Sequence, residues 1–352
     1  MGGHLSLSNR RDPERTLMFC EAQESSSVVR RQRERNAGIL AELGERLRAS
    51  APRAVVTLAR GSSDHAATFA RYVIETRAGV LTSSASPSVA SIYEATPDLR
   101  DTVVLAISQS GRSPDLLNAA ERASANGALL VAMVNDDRSP LAELTEVVIP
   151  LCAGAEQSVA ASKSFVAALA ATLDLLAAWT NDDDIDSALS SLPDQLAEAW
   201  ELDWSAALPI LADGNAMFVV GRGHGLGIAQ EAALKLKEMC SIQAEAFSAA
   251  EVRHGPMAIV HDGYPVLLFG QADASLDGVL ELAHEFAGRG AEVISAGLPE
   301  APGTALRTVA AHPLTQPILE IASFYRLANA LALARGNDPD RPPHLSKVTE
   351  TL

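Results

Sequence analysis

Residues 107–114 read Ile-Ser-Gln-Ser-Gly-Arg-Ser-Pro. An apolar stretch runs straight into Ser108, Gln109, Ser110, Gly111, Arg112 and Ser113, and Pro114 stands where a helix would begin. Proline is tolerated there because the missing N–H would have been unpaired anyway. The hydroxyls and backbone N–H groups of such a turn converge on one point, and the positive end of the helix dipole faces the same point. That makes an anion site without a lysine. Gly111 allows a close backbone approach. The plain alternative is a strand-to-helix turn in which a serine only caps the helix. A second polar turn, Arg60-Gly61-Ser62-Ser63-Asp64-His65, follows an earlier apolar run, and Gly221-Arg222-Gly223-His224-Gly225 is its counterpart later in the chain. The latter imitates a dinucleotide fingerprint but lacks the ribose-binding acid expected about 20 residues on. Val159-Ala160-Ala161-Ser162-Lys163 by itself marks only a helix start.

Glu231, Lys235 and Glu238 recur at i, i+4 and i+7, so they share one helical face. Two carboxylates flanking a lysine are acid/base equipment or, alternatively, a solvated ladder of ion pairs. Ala232, Ala233, Leu234 and Leu236 supply the buried side of the same helix. His254, in Arg253-His254-Gly255-Pro256, precedes another apolar run, and no second His or Cys stands at metal-ligand spacing. No metal and no cofactor are expected. Lys347 alone is a tail lysine.

The elements that must hold these residues repeat. Val55–Gly61 (VVTLARG) and Phe218–Gly223 (FVVGRG) align at their Arg-Gly pairs with a spacing of 162 residues, which also places Val104-Leu105-Ala106-Ile107 on Val266-Leu267-Leu268-Phe269. Asn126-Gly127-Ala128 falls on Arg289-Gly290-Ala291 at 163. Short Val/Ile/Leu runs without strict alternation read as strands covered on both faces. In the first half they fall at 54–59, 102–107, 129–134 and 147–150, with helices at 34–49, 65–78, 114–126 and 164–180. Strand, helix and strand in turn predict parallel, doubly wound sheets, two in tandem, with ligands outside the carboxyl ends of the strands. The acidic run 181–186 and Pro193 read as a linker. Residues 1–33 read as leader and arm, 34–185 as the first domain, 196–336 as the second, and 337–352 as a C-terminal tail. The first fifteen residues read as a disordered leader, with Met18 as an alternative start.

Composition bounds the rest. A chain of 352 residues that is 47% hydrophobic and 20% charged is an ordinary globular protein of about two domains. Its net charge of −16 argues against nucleic acid and anionic membrane as partners. If the substrate is an anion, the site must create a local positive field against the global one. Three distant cysteines, Cys20, Cys152 and Cys240, read as reduced thiols. The longest charge-free run, 78–93, is too short and polar to cross a bilayer. The N-terminus lacks the apolar core of a signal peptide. A cytoplasmic location is expected.

Taken together, the motifs resemble the isomerase part of glucosamine-6-phosphate synthase and its stand-alone relatives, the sugar isomerase (SIS) domain proteins. They are Ser108-Gln109-Ser110-Gly111-x-Ser113, Ala233-Leu234-Lys235-Leu236-Lys237-Glu238, Ala244-Glu245-Ala246-Phe247, Glu251-x-x-His254-Gly255-Pro256 and Leu345-x-Lys347. The resemblance implies tandem flavodoxin-like SIS domains, one site per subunit and a homodimer that completes each site. It puts Ser62, Ser63, Ser108, Gln109, Ser110 and Ser113 around a sugar phosphate, with Val159 and Ala161 lining the sugar. It makes Glu238 the proton carrier between C1 and C2, aided by Lys235. His254, lent by the neighbouring subunit, opens the ring, and Lys347 is the amine that meets the open-chain carbonyl. Arg112 replaces the glutamate usual in the synthases' serine loop, Ser346-Lys347-Val348 replaces their Ala-Lys-Ser, and Pro343 replaces an arginine.

Since no glutaminase domain is seen before the first repeat, the expected reaction is catabolic: glucosamine 6-phosphate to fructose 6-phosphate and ammonia. The rivals are the same chemistry on galactosamine 6-phosphate or on a fructosamine 6-phosphate, where Arg112 could pair with an extra carboxylate, and a non-catalytic phosphosugar sensor. No basic helix-turn-helix precedes residue 35 to support a sensor.

Overall fold

The computed structural model describes residues 12–95 and 97–347. Two helices lead. Thr16 caps α1 (Leu17–Gln23) by accepting from the Phe19 N–H, and α2 (Ser25–Ser50) follows after a single residue. Of the leader expected over residues 1–15, residues 1–11 lie outside the described residues. Residues 13–15 form a 3-10 turn started by Asp12. Thr16 is tied across the fold, its hydroxyl 2.7 Å from Asn329 Oδ1, and Met18 is fully buried. Residues 17–33 therefore belong to the helical body.

The first sheet is built from β1 (Ala54–Leu58), α3 (Ser62–Arg77), β2 (Leu81–Ser84), α4 (Pro87–Ser91), β3 (Thr102–Ser108), α5 (Pro114–Ala125), β4 (Leu129–Val134), α6 (Pro140–Leu144) and β5 (Val147–Pro150). Its strands are all parallel and run in the order β2-β1-β3-β4-β5. Every residue of β3 is buried, as expected for a central strand covered on both faces. Such an order reverses direction between β1 and β3, and the crevice at that switch point is where an open α/β sheet binds its ligand.

α7 (Lys163–Thr180) fills the centre of the molecule and is buried continuously from Lys163 to Ala177. By length and composition it could cross a membrane, but 83% of it is buried inside the fold, so it is a core helix. The expected linker is instead a helix, α8 (Asp183–Trp200), with Pro193 buried inside it. Acidic residues here stabilise a helix start. Asp182 accepts from the N–H groups of Asp184 and Ile185, and Asp183, Asp184 and Asp186 lie in the first turn, where the dipole favours them.

α9 (Leu208–Leu211) leads into β6 (Ala216–Gly221), α10 (Leu226–Cys240), β7 (Gln243–Ser248), β8 (Pro265–Phe269), α11 (Leu276–Gly288), β9 (Glu292–Ala296), β10 (Thr304–Leu306) and α12 (Gln316–Ala334). The second sheet is parallel in the order β10-β9-β8-β6-β7. Counted from its β7 edge this is the order of the first sheet. The 162-residue spacing thus pairs β1 with β6 and β3 with β8, and the fold is two tandem doubly wound α/β units.

The two units meet through α3 and α10. Gly227 permits this contact: a Cβ there would lie 2.6 Å from the His65 carbonyl oxygen and 3.2 Å from the Phe69 Cβ. Gly227→Ala should therefore push α3 and α10 apart and destabilise the fold by about 1–3 kcal/mol. Urea denaturation reads this as a lower midpoint; an unchanged midpoint would show that the contact yields freely.

Candidate active site

The switch point of the first sheet opens into a cleft of about 360 Å³, a volume within the range of small-molecule sites. The turn after β1 brings Arg60, Gly61, Ser62 and Ser63 to it, and the turn after β3 brings Ser108, Gln109, Ser110 and Ser113. Gly61 starts α3 at φ 56, a left-handed conformation that a side chain resists. Gly111 (φ +64) has no room for a Cβ, which would run into Ser139 Oγ. Its N–H donates to Ser108 Oγ at 3.0 Å, tightening the loop. Ser113 occupies the N-cap of α5 yet makes no capping hydrogen bond through its side chain. The helix-capping alternative is therefore not how Ser113 is used. The amino ends of α3 and α5 both point into the cleft, so two helix dipoles favour an anion there.

The opposite wall comes from α10 of the second unit. Glu231, Lys235 and Glu238 do share one face, and that face is buried, which rules out a solvated ladder. Glu231 is fully buried and Lys235 nearly so, while Glu238, 21% exposed, lines the cleft. Lys235 Nζ donates to Glu238 Oε2 at 2.6 Å and to Ser62 Oγ at 3.2 Å, and lies 3.3 Å from Glu231 Oε1. Glu231 also accepts from Ser62 Oγ at 3.1 Å and Tyr325 Oη at 3.3 Å, and its Oε2 lies 3.0 Å from His65 Nδ1. Burial alone would push the Glu231 carboxyl up; the Lys235 ammonium, with His65 and Ser62, outweighs it and holds the group below its ordinary value. Burial likewise opposes the charge on Lys235, but Glu231 and Glu238 raise it above the usual lysine value.

A third wall joins both ends of the chain. Val159 and Ala161 line the cleft from the loop before α7, and Leu345, Ser346 and Lys347 line it from the tail. Lys347 Nζ donates to the Ser158 carbonyl at 2.7 Å and lies 3.3 Å from Glu156 Oε2. Glu156 is buried and also accepts from the Ser162 N–H, the Ser164 N–H and the Ser164 hydroxyl. Glu21 of α1 accepts from the N–H groups of Gln157 and Ser158; its burial outweighs those bonds and raises its carboxyl. Asp340 accepts from the N–H groups of Leu17 and Met18, while its carbonyl takes the Val159 N–H.

Eleven of the twelve residues expected at the site thus face one cleft. His254 does not: it is exposed in the connection between β7 and β8 and is not among the lining residues. Glu21, Glu156 and Tyr325 escape a sequence reading because they stand in no motif; only the folded chain brings them to the loop and to Glu231. In the second unit, the place equivalent to the cleft is filled. Gln271, 162 residues after Gln109, donates to the Arg222 carbonyl at 2.8 Å, Asp273 Oδ2 at 3.1 Å and Ser275 Oγ at 3.0 Å.

Tandem parallel sheets, a serine turn at the first switch point and a lysine-backed carboxylate define a doubly wound α/β protein with a polar cleft. More specifically, the chain belongs to the SIS domain family, whose profile matches residues 49–178 and 210–325. A glutamine–fructose-6-phosphate aminotransferase (isomerizing) from Symbiobacterium thermophilum is 33% identical over 315 residues, 84% of this chain and 51% of that protein. The chain spans about half the length of such relatives. A Silicibacter pomeroyi protein assigned as a phosphosugar isomerase is 41% identical with a TM-score of 0.89, covering 92% of this chain and all of that one. The C-terminal domain of a glucosamine-fructose-6-phosphate aminotransferase from Francisella tularensis is 25% identical, with a TM-score of 0.83 and coverage of 95% and 100%. A glucosamine-6-phosphate deaminase from Thermotoga maritima shares the fold, at 20% identity and a TM-score of 0.75 over 96% of this chain and 100% of that one.

The buried pair has a pH signature. Glu231 is held below its unfolded value, so its stabilisation is present above that value and lost as pH falls through the folded one. Lys235 is raised, so its share is present below its unfolded value and lost as pH rises through the folded one. Glu231→Gln leaves Lys235 with Glu238 alone, and at pH 7 should cost about 3 kcal/mol, the low end for breaking a buried pair. The deficit should shrink as pH falls below the ordinary glutamate value of about 4.3, where the unfolded chain begins to bind the proton, and disappear below the depressed value in the fold. Denaturation midpoints at pH 7 and at acid pH measure both effects; equal stability at pH 7 would refute the coupling.

Proposed function

We propose that the chain is a phosphosugar aldose–ketose isomerase and deaminase that converts glucosamine 6-phosphate to fructose 6-phosphate and ammonia. The observation that carries this reading is Glu238, the only carboxylate among the described residues lining the cleft, facing the serine turn across a space of sugar-phosphate size. Its Oε2 is pinned by Lys235 at 2.6 Å. A carboxylate so oriented can take the C2 proton of an open-chain amino sugar and return it at C1 on the same face. The C1 aldehyde and C2 amine thereby become a C1 alcohol and a C2 imine. Water then adds to the imine, and the C–N bond breaks to give the ketose and ammonia.

The phosphate would lie against Ser63, Ser108, Gln109, Ser110 and Ser113, under the amino ends of α3 and α5. Val159 and Ala161 would line the sugar. Lys347 would hold its amine toward the open-chain carbonyl, its position fixed by Ser158 and Glu156. Proton transfer within one carboxylate needs no cofactor. Arg112 pairs with Asp136 at 2.8 Å and does not line the cleft. That supports an unsubstituted amino sugar over a fructosamine carrying an extra carboxylate.

Ring opening is the role proposed for His254, from a second copy of the chain. Its exposure away from its own cleft supports a homodimer with shared sites. Coupled detection of ammonia and fructose 6-phosphate tests both parts. Glu238→Gln should lower turnover roughly 10²–10⁴-fold with affinity nearly unchanged, and His254→Ala should be nearly inactive as well. Mixing the two homodimers through mild denaturation makes about half of the dimers heterodimeric, each with one intact site, so about a quarter of wild-type activity should return. Activity that stays at the single-variant level, with mixing verified by mass, would place His254 outside a shared site. Wild-type turnover in Glu238→Gln would rule out the proton carrier.

A further inference from the structure

Arg60 is the one charged residue among the described residues lining the cleft that the reading above leaves without a role. It ends the run from β1, just before the left-handed Gly61, and its side chain is 51% exposed along the cleft. What fixes it is Asp115, the second residue of α5, whose side chain is 2% exposed. Asp115 Oδ2 accepts from both Arg60 Nε at 3.0 Å and Nη2 at 2.7 Å, and Oδ1 accepts from the Leu116 N–H at 2.8 Å. Both bonds use the Nε–Nη2 edge. The Nη1 N–H groups carry no hydrogen bond among the described residues.

The other cations at the cleft are already engaged. Lys235 lies between Glu231 and Glu238, and Lys347 is held by Glu156. Each therefore contributes little net positive field. A chain of net charge −16 must still draw in an anion. Arg60 is paired too, with Asp115, but it lines the cleft together with Ser108, Ser110 and Ser113, its side chain is half-exposed, and its Nη1 donors are not used by that pair. A planar guanidinium with one edge anchored suits a tetrahedral phosphoryl group, to which it offers fixed charge-assisted donors.

We propose that Arg60, oriented by the buried Asp115, binds the phosphoryl group of the substrate and selects phosphorylated over neutral sugars. This rests on the phosphosugar reading above and adds a residue to it. The cleft then meets its anion with two helix amino ends, a rim of hydroxyls and one directed cation.

Calorimetric titration of wild type, Arg60→Gln and Arg60→Lys with inorganic phosphate and with fructose 6-phosphate is the test, alongside kinetics on glucosamine 6-phosphate. Arg60→Gln should weaken both ligands about tenfold, as expected for losing a charge-assisted bond at a half-exposed site. KM should rise by a similar factor while kcat holds, because the phosphate is bound alike in ground and transition states. Its binding should also respond less steeply to salt than that of wild type, and Arg60→Lys should fall between the two. If leaving Asp115 unpaired unfolds Arg60→Gln, the Arg60→Gln/Asp115→Asn double variant supplies the same comparison. Wild-type affinity and salt response in the folded variant would overturn the role of Arg60 and leave the phosphosugar reading standing. A wild-type protein that binds neither phosphate nor phosphosugar would overturn both.

Discussion

Lys235 is the constraint on which the arrangement depends. A lysine this deeply buried is tolerated only where opposite charge surrounds it, and here two carboxylates of its own helix do so, with Ser62 of the other unit. The cluster acts at once on structure and site. Through Ser62 and His65 it ties α3 to α10, and with them the first repeat to the second. Through Glu238 it holds the one carboxylate among the described residues lining the cleft beside the serine turn. Gly227 complements it sterically by letting the same two helices approach closely. Site and domain contact are therefore one feature.

The second constraint is electrostatic. To bind the proposed anion, an acidic protein must separate the field of the cleft from that of its surface. The cleft does so mainly with dipoles: α3 and α5 begin at it, and both begin on glycine- or serine-rich turns that leave N–H groups and hydroxyls open. Charged side chains nearby are compensated in pairs, Arg60 with Asp115 among them, although the Arg60 side chain stays half-exposed at the cleft. The second repeat shows the same turn closed, with Gln271 and Asp273 occupying the space that the first repeat leaves open. Asp273 is held below the usual carboxylate range because His224, Ser275 and Gln271 outweigh its burial.

Much of this was legible in the chain. The repeat spacing carries the strand pairing of the two sheets, because β1 with β6 and β3 with β8 are buried central strands whose apolar runs cannot be interrupted. Strands 129–134 and 147–150 were read at their observed limits for the same reason. The serine turn and the Glu231–Lys235–Glu238 face were visible as local spacing. Long-range contacts were not. Nothing local marks Glu156 as the acceptor for Lys347, or Glu21 as the anchor of the loop holding Val159. The acidic run at 181–186 misled because composition alone does not distinguish a solvated linker from a helix start whose carboxylates face its dipole. Edge strands such as β2 were also missed, being short and largely exposed.

The central claim is that one carboxylate carries a proton between neighbouring carbons of an amino sugar phosphate. The most direct measurement uses glucosamine 6-phosphate deuterated at C2, incubated with the protein in ordinary water without added cofactor. Ammonia should be released in equal amount with fructose 6-phosphate, and mass spectrometry should find part of the deuterium at C1 of that product, the remainder lost by exchange from Glu238. Product with no deuterium at C1, even at the earliest times, would contradict a same-face transfer by a single group, and the absence of both products would contradict the reaction itself.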